Sequence, residues 1–242
     1  MDSNHNLSLF LIFLPFTPFL TMPNHMPEQT EGVIQFNMNH QYTELDPRTY
    51  TSLYHSLNGW RTLLRELGLV GMDPDRYEGI GFGNVSLRSP VSPHSFLITG
   101  SQTGQYKQLT LKQYCVVTQC HFQTHTLDSK GEILPSSESM THGMMYQLDH
   151  RIQAVFHIHS PLLWNCSHLD VPSTPAHIGY GTLAMTHAVR DMYQNTSLSH
   201  LNTMDGGHLR MGGHQDGLIS IGAHLDETGH RLLALWRKAH TS

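Results

Sequence analysis

Two histidines one residue apart, His157 and His159, end the apolar run Gln153-Ala154-Val155-Phe156-His157-Ile158-His159. That run has the composition of a buried strand. Side chains on a strand alternate faces, so both imidazoles point the same way while Ala154, Phe156 and Ile158 line the opposite, apolar face. Two imidazoles on one strand face are half of a metal site. A carboxylate precedes them in Pro135-Ser136-Ser137-Glu138, and a third imidazole follows in Gly212-Gly213-His214. Three histidines and a carboxylate suit Zn²⁺ or another divalent transition metal such as Mn²⁺, Co²⁺ or Fe²⁺. With 20 histidines in the chain, a chance pair of surface or core imidazoles is the competing reading, and the neighbouring segments decide between the two.

Those segments must position the four residues. A helix is predicted from Asp46, a plausible N-cap, and Pro47 in the first turn. Its core stripe is Leu53, Leu57, Trp60, Leu64 and Leu67, and Gly68 ends it. A short strand is expected over residues 33–36. Glycines 79, 81 and 83 feed a strand through Asn84-Val85-Ser86-Leu87-Arg88, and Phe96-Leu97-Ile98-Thr99 returns as its partner. A third strand is expected over residues 114–120, then a turn at Asp128-Ser129-Lys130-Gly131. Ser136 is the candidate N-cap of a helix reaching about Asp149, with Met140, Met144 and Leu148 on its buried side. The strand of His157 and His159 follows, then a short helix from Pro161. A proline-rich loop spans 171–180, and a helix starts at Thr182. Strands near 209–211 and 218–221 bracket His214, and a helix over 226–239 closes the chain. Strands in the middle with helices flanking them predict an α/β fold, a three-layer α/β/α sandwich around a mostly antiparallel central sheet.

At 242 residues, 38% hydrophobic and 14% charged, the chain is long enough for one large domain and too apolar for a disordered one. The net charge of −5, without a Lys/Arg run, gives no sign of nucleic-acid or anionic-membrane binding. Cys115, Cys120 and Cys166 are odd in number and lack C-x-x-C spacing, which reads as free thiols in a reducing, cytoplasmic setting. Residues 7–20 are apolar but too short to span a membrane. They also lack a preceding cation and a small-residue cleavage site. Residues 1–26 are therefore read as an apolar or disordered extension, with translation expected to begin at Met22 or Met26, and residues 27–242 as a single domain.

Taken in order, the segments resemble the class II aldolase/adducin family, in particular the head domain of fuculose-phosphate aldolases. The matches are Gly83-Asn84-Val85-Ser86, Phe96-Leu97-Ile98-Thr99-Gly100, Pro135-Ser136-Ser137-Glu138, Ala154 to Pro161, Tyr180-Gly181-Thr182, and Gly213-His214 followed by Gly217-Leu218-Ile219-Ser220-Ile221-Gly222. The resemblance implies a Zn²⁺-type site of His157, His159 and His214. It makes Glu138 the catalytic acid/base, able also to ligate the metal when substrate is absent. A phosphate would lie against Asn84, the 100–104 loop with Ser101, Thr103 and Gly104, and Ser136 and Ser137. The two serines also open a helix, where free N–H groups favour an anion; simple capping is their plainer role, and a turn residue is that of Asn84. The implied activity is that of a metal-dependent lyase on a small hydroxy-ketone, aldehyde or sugar phosphate, through an enediolate, in a cyclic homotetramer. Dehydration or epimerisation of a ketose phosphate, and an adducin-like scaffold without catalysis, are the alternatives.

Departures from the family pattern concern the partners of Glu138. The 100–104 loop is one residue longer than in the sugar-phosphate aldolases. Their tyrosine-bearing insertion after the H-x-H helix is not found between His159 and Tyr180, nor is their tyrosine-bearing tail before Ser242. Tyr180 is a substitute donor at best, with a structural role favoured. His142, one turn from Glu138, is either behind the site or on a helix surface. His168, His177, His208 and His224 read as loop or surface residues, and Cys166 as a small buried hydrophobe.

Overall fold

The computed structural model describes residues 31–201 and 206–241. The N-terminal apolar run and the expected boundary at residue 26 lie outside the described residues. Eight strands form one sheet: β1 (Asn37–Tyr42), β2 (Asn84–Arg88), β3 (Phe96–Thr99), β4 (Tyr114–His121), β5 (Thr126–Gly131), β6 (Ala154–His159), β7 (His208–Arg210) and β8 (Gly217–Gly222). Their order is β1-β5-β4-β3-β2-β6-β8-β7. The helices are α1 (Pro47–Glu66), α2 (Ser139–Leu148), α3 (Pro161–Asn165), α4 (Leu183–Asn195) and α5 (Leu225–His240).

The sheet is mixed, which corrects the mostly antiparallel expectation. β1 lies parallel to β5, pairing Asn37 with Thr126 through Tyr42 with Gly131, while the remaining neighbours pair antiparallel. Two expectations failed at this edge. The turn predicted at 128–131 is the end of β5, where Leu127, Ser129 and Gly131 face inward in alternation. The strand predicted over 33–36 begins only at Asn37. Both errors have one cause: the edge strand β1 and its neighbour β5 are rich in polar residues, so turn-like composition and strand pairing coexist. Phe36 nevertheless enters the core at 7% exposure.

α1 follows its sequence signals closely. The Asp46 carboxylate accepts the Arg48 N–H at 3.2 Å, Pro47 occupies the first turn, and Gly68 takes φ +69 just past the end. Leu57 and Leu64 are fully buried, worth roughly 1.5–3 kcal/mol each relative to exposure. Alternate residues of the central strands feed two apolar clusters. Val155, Ile98, Val117 and Ile219 join Met140, Met144 and Tyr146 of α2 and Met185 and Val189 of α4. Ala154, Phe156, Ile158, Leu97 and Val116 join Trp60 of α1, Leu163 of α3 and Leu232 of α5. Because strand side chains alternate faces, these clusters occupy opposite sides of the sheet. His157 and His159 therefore share the side of α2 and α4. Among the described residues, no helix is long and apolar enough to cross a membrane.

Candidate metal centre

β6 lies between β2 and β8 in the sheet interior, and its last residues present both histidines, each fully buried. His157 Nδ1 lies 3.1 Å from the Leu218 carbonyl, which accepts its proton and leaves Nε2 with a free lone pair. That Nε2 is 3.1 Å from His159 Nε2. His214 arrives from the turn between β7 and β8, with its ring centroid 4.9 Å from that of His157 and 4.7 Å from that of His159. One ligand atom from each of the three histidines can be chosen so that all lie within 4.8 Å of one another.

The His214 turn is set by backbone. The His214 N–H donates to the Met211 carbonyl at 3.0 Å, and the Gly217 N–H to the His214 carbonyl at 3.0 Å. Asp216 takes φ +63 between them. Gly213 presses against the proline-rich segment: a Cβ there would sit 1.9 Å from the Ile178 carbonyl oxygen. Backbone cannot yield as a side-chain end can, so Gly213→Ala is expected to cost about 1–3 kcal/mol and to drag His214 out of place. Thermal melts with and without added metal check this: the apo midpoint falls, and the gain on metal addition shrinks. Gly217 leaves room in the same way, since a Cβ there would lie 3.1 Å from His214 Cγ and 3.2 Å from His157 Cε1.

Glu138 is the N-cap residue of α2, with φ −91 and ψ 5, but its side chain caps nothing. It is 1% exposed, and both carboxylate oxygens lack hydrogen-bond partners. Oε1 lies 3.4 Å from His214 Nδ1, without hydrogen-bonding geometry. Burial raises the Glu138 pKa to about 7, against the pull of His214. A carboxylate poised there can take and return a proton near neutral pH. Burial, and then the neighbouring imidazoles, hold His157 and His159 well below the usual histidine range. They are thus neutral and able to ligate. Burial alone would also lower His214, but Glu31, Glu138 and Asp216 outweigh it and raise its pKa. The donor set of three imidazoles with buried, unpartnered carboxylate oxygens fits a divalent cation.

The residues predicted to meet a phosphate gather beside this centre. Asn84 is the register partner of His157 on β2, and its buried Oδ1 has no partner. The 100–104 loop is joined to the Pro135 turn by the Gly100–Pro135 bridge and by the Ser101 N–H donating to the Leu134 carbonyl at 2.8 Å. Ser136 Oγ accepts the Glu138 N–H at 3.3 Å. The helix starts at Ser139, not directly after Ser136. Thr103 Oγ1 donates to the Gly100 carbonyl at 2.9 Å, so its proton holds the loop together. Gly104 packs on backbone, since a Cβ would lie 2.1 Å from the Gly71 carbonyl oxygen. Buried Arg61 of α1 donates to the Thr103 carbonyl at 3.0 Å, a support that the α1 periodicity gave no reason to single out.

Several residues near the site escaped sequence reasoning. Glu31 Oε2 lies 2.8 Å from His214 Nε2. Tyr77 packs edge-on against the His159 ring at 4.8 Å, donates to Asp216 Oδ2 at 2.7 Å and accepts from Arg76 at 2.8 Å. Tyr77 and Glu78 both have positive φ, an unfavourable local choice that foretells nothing from composition. Tyr180, which the sequence did single out, stacks on His214 at 4.4 Å, and its hydroxyl accepts the Val33 N–H at 3.2 Å. His208, expected at the surface, is 2% exposed in β7 with Nδ1 2.8 Å from Ser220 Oγ. Cys166 is buried, as expected.

His142 lies in the core behind Glu138, with Nδ1 2.7 Å from Ser86 Oγ, which also meets the Tyr146 hydroxyl at 2.7 Å. Burial lowers its pKa to about 3. The folded value is below the unfolded one, so unfolding takes up a proton between those values. Its contribution is intact above about pH 6.5 and is lost as pH falls toward 3, to roughly 5 kcal/mol at the limit. Denaturant midpoints measured from pH 7 to 4 are expected to fall less steeply in His142→Asn than in the parent.

Comparison with known proteins follows the same line. The model of the class II aldolase and adducin N-terminal domain matches residues 72–241. No curated protein sequence matches the chain. L-fuculose-1-phosphate aldolase from Thermus thermophilus superposes with TM-score 0.56 at 19% identity, over 79% of this chain and 92% of that one. YgbL from Klebsiella pneumoniae, provisionally assigned as an aldolase, epimerase or decarboxylase, gives 0.57 at 18%, over 80% and 89%. Sugar-phosphate aldolase from Thermotoga maritima gives 0.53 at 14%, over 78% and 94%. At these identities the likeness is one of fold. The family match spans most of the chain and takes in Glu138, His157, His159 and His214, so this protein belongs to the class II aldolase/adducin family.

Proposed function

We propose that the chain is a divalent-metal-dependent lyase of the aldolase type, acting on a small hydroxy-ketone, aldehyde or sugar phosphate through an enediolate. The observation that carries this reading is the buried carboxylate of Glu138, without a hydrogen-bond partner at either oxygen and raised to about 7, beside the clustered imidazoles of His157, His159 and His214. His157, His159 and His214 would hold Zn²⁺, or Mn²⁺, Co²⁺ or Fe²⁺. Such an ion supplies Lewis acidity toward the carbonyl and hydroxyl oxygens of the substrate. Glu138 then takes the proton from carbon or hydroxyl and returns it, in a site where burial keeps water away. Asn84, the 100–104 loop, Ser136 and Ser137 would orient a phosphate or hydroxyl at the far end of the substrate. The proposal includes the three-layer arrangement, a cytoplasmic location, a single domain over residues 27–242 and a homotetramer.

Incubating metal-loaded protein with a panel of ketose and aldose phosphates and following products by NMR tests the reaction type. Aldehyde and ketone fragments are the expected outcome. Water loss or stereochemical inversion instead would assign the chain to the dehydratase or epimerase branch. Metal binding without turnover of any panel member would favour the scaffold.

A further inference from the structure

We infer that Glu31 is a fourth protein ligand of the metal centre. The inference rests on the three-histidine reading above and extends it. Glu31 Oε2 lies 2.8 Å from His214 Nε2 and 3.9 Å from His159 Nε2, and His159 Nε2 lies 3.1 Å from His157 Nε2. Ligand atoms around a tetrahedral ion with bonds of 2.0–2.2 Å stand roughly 3.3–3.6 Å apart. The three observed separations bracket that edge length, so the Glu31 oxygen stands at ligand spacing from nitrogens of His214 and His159, as His159 does from His157. An ion pair with His214 alone would explain the shorter contact. It would not explain why the same oxygen also approaches His159.

The carboxylate is held in place. Its side chain is only 10% exposed. The next residues form a strap tied on both sides. The Val33 N–H donates to the Tyr180 hydroxyl, whose ring stacks on His214. Gly32, at φ +75, lies against the 100–104 loop, where a Cβ would meet Gln102 Nε2 at 2.2 Å. Phe36 anchors the strap in the core, and β1 follows. The strap thus touches both the metal centre and the loop expected to meet a phosphate. A four-ligand shell is closed, whereas catalytic sites keep a position for substrate. The Glu31 carboxylate would have to yield its place for substrate oxygens to reach an ion held there.

The test uses the full chain loaded with Co²⁺, whose visible ligand-field bands are more intense with four ligands than with five or six. Parent, Glu31→Gln and Glu31→Ala are compared by absorption and by chelator competition, with circular dichroism confirming the fold of each. The parent is expected to bind one Co²⁺ per chain with intense bands. In both variants the bands should shift and weaken, and Kd should rise by at least about 100-fold, the upper range for loss of an outer-sphere partner. An unchanged spectrum and Kd in both variants would overturn Glu31 as a ligand and leave the three-histidine centre standing. A parent that binds no Co²⁺ would overturn the centre and this inference together.

Discussion

His159→Ala is expected to abolish stoichiometric metal binding. The side chain is fully buried at the end of β6, and its Nε2 faces His157 Nε2 at 3.1 Å. Removing it leaves two imidazoles on different strand and turn segments. The loss should exceed the roughly 10–100-fold that removal of an outer-sphere partner produces. Tyr77 and Phe82 pack on the imidazole, so the apo protein should also lose about 1–3 kcal/mol. Elemental analysis of the dialysed variant checks the first effect and a denaturant titration the second. One metal per chain retained in the variant would remove His159 from the centre.

Glu138→Gln separates chemistry from binding. Glutamine keeps the volume and a carbonyl oxygen but cannot carry the proton. His157, His159 and His214 would carry the metal, and glutamine keeps an oxygen donor in place of the carboxylate, so metal content should stay at the parental level. Turnover should fall by about 10²–10⁴-fold, the usual range for a lost general acid or base. Steady-state kinetics beside metal analysis resolves the two. A fall in kcat with unchanged metal is the expected pattern, and parental kcat would remove Glu138 as the base.

How much of this was legible in the sequence depends on locality. α1 was readable because Asp46, Pro47, its leucine stripe and Gly68 all act within one element. β6 and β8 were readable because a central strand is buried on both faces and becomes a continuous apolar run. The same burial made the alternation of His157 and His159 conspicuous. The β1–β5 edge was not readable, since Asp128-Ser129-Lys130-Gly131 has turn composition and acquires strand geometry only from its neighbours. Glu31 was hidden for a further reason. It meets His214 from a position 183 residues away in sequence, and nothing within residues 31–36 shows where the strap will lie. Tyr77 and Arg61 were missed likewise, one in a strained turn and one on a helix whose pattern showed only its apolar stripe. His208 shows the limit of composition: in a chain with many histidines, surface placement is the default, and only packing reveals it as buried, just as only packing decides that His142 lies behind the site and not on the helix surface.

The proposed chemistry is proton transfer by Glu138 that forms and quenches an enediolate, beside three histidines that would hold a divalent metal supplying Lewis acidity. Its most direct test is hydrogen–deuterium exchange in D₂O, by NMR, on hydroxy-ketones and their phosphates with metal-loaded protein. Exchange is expected at the carbon beside the carbonyl, disappearing on metal removal and in Glu138→Gln. Exchange that continues at the parental rate after either change would contradict that chemistry.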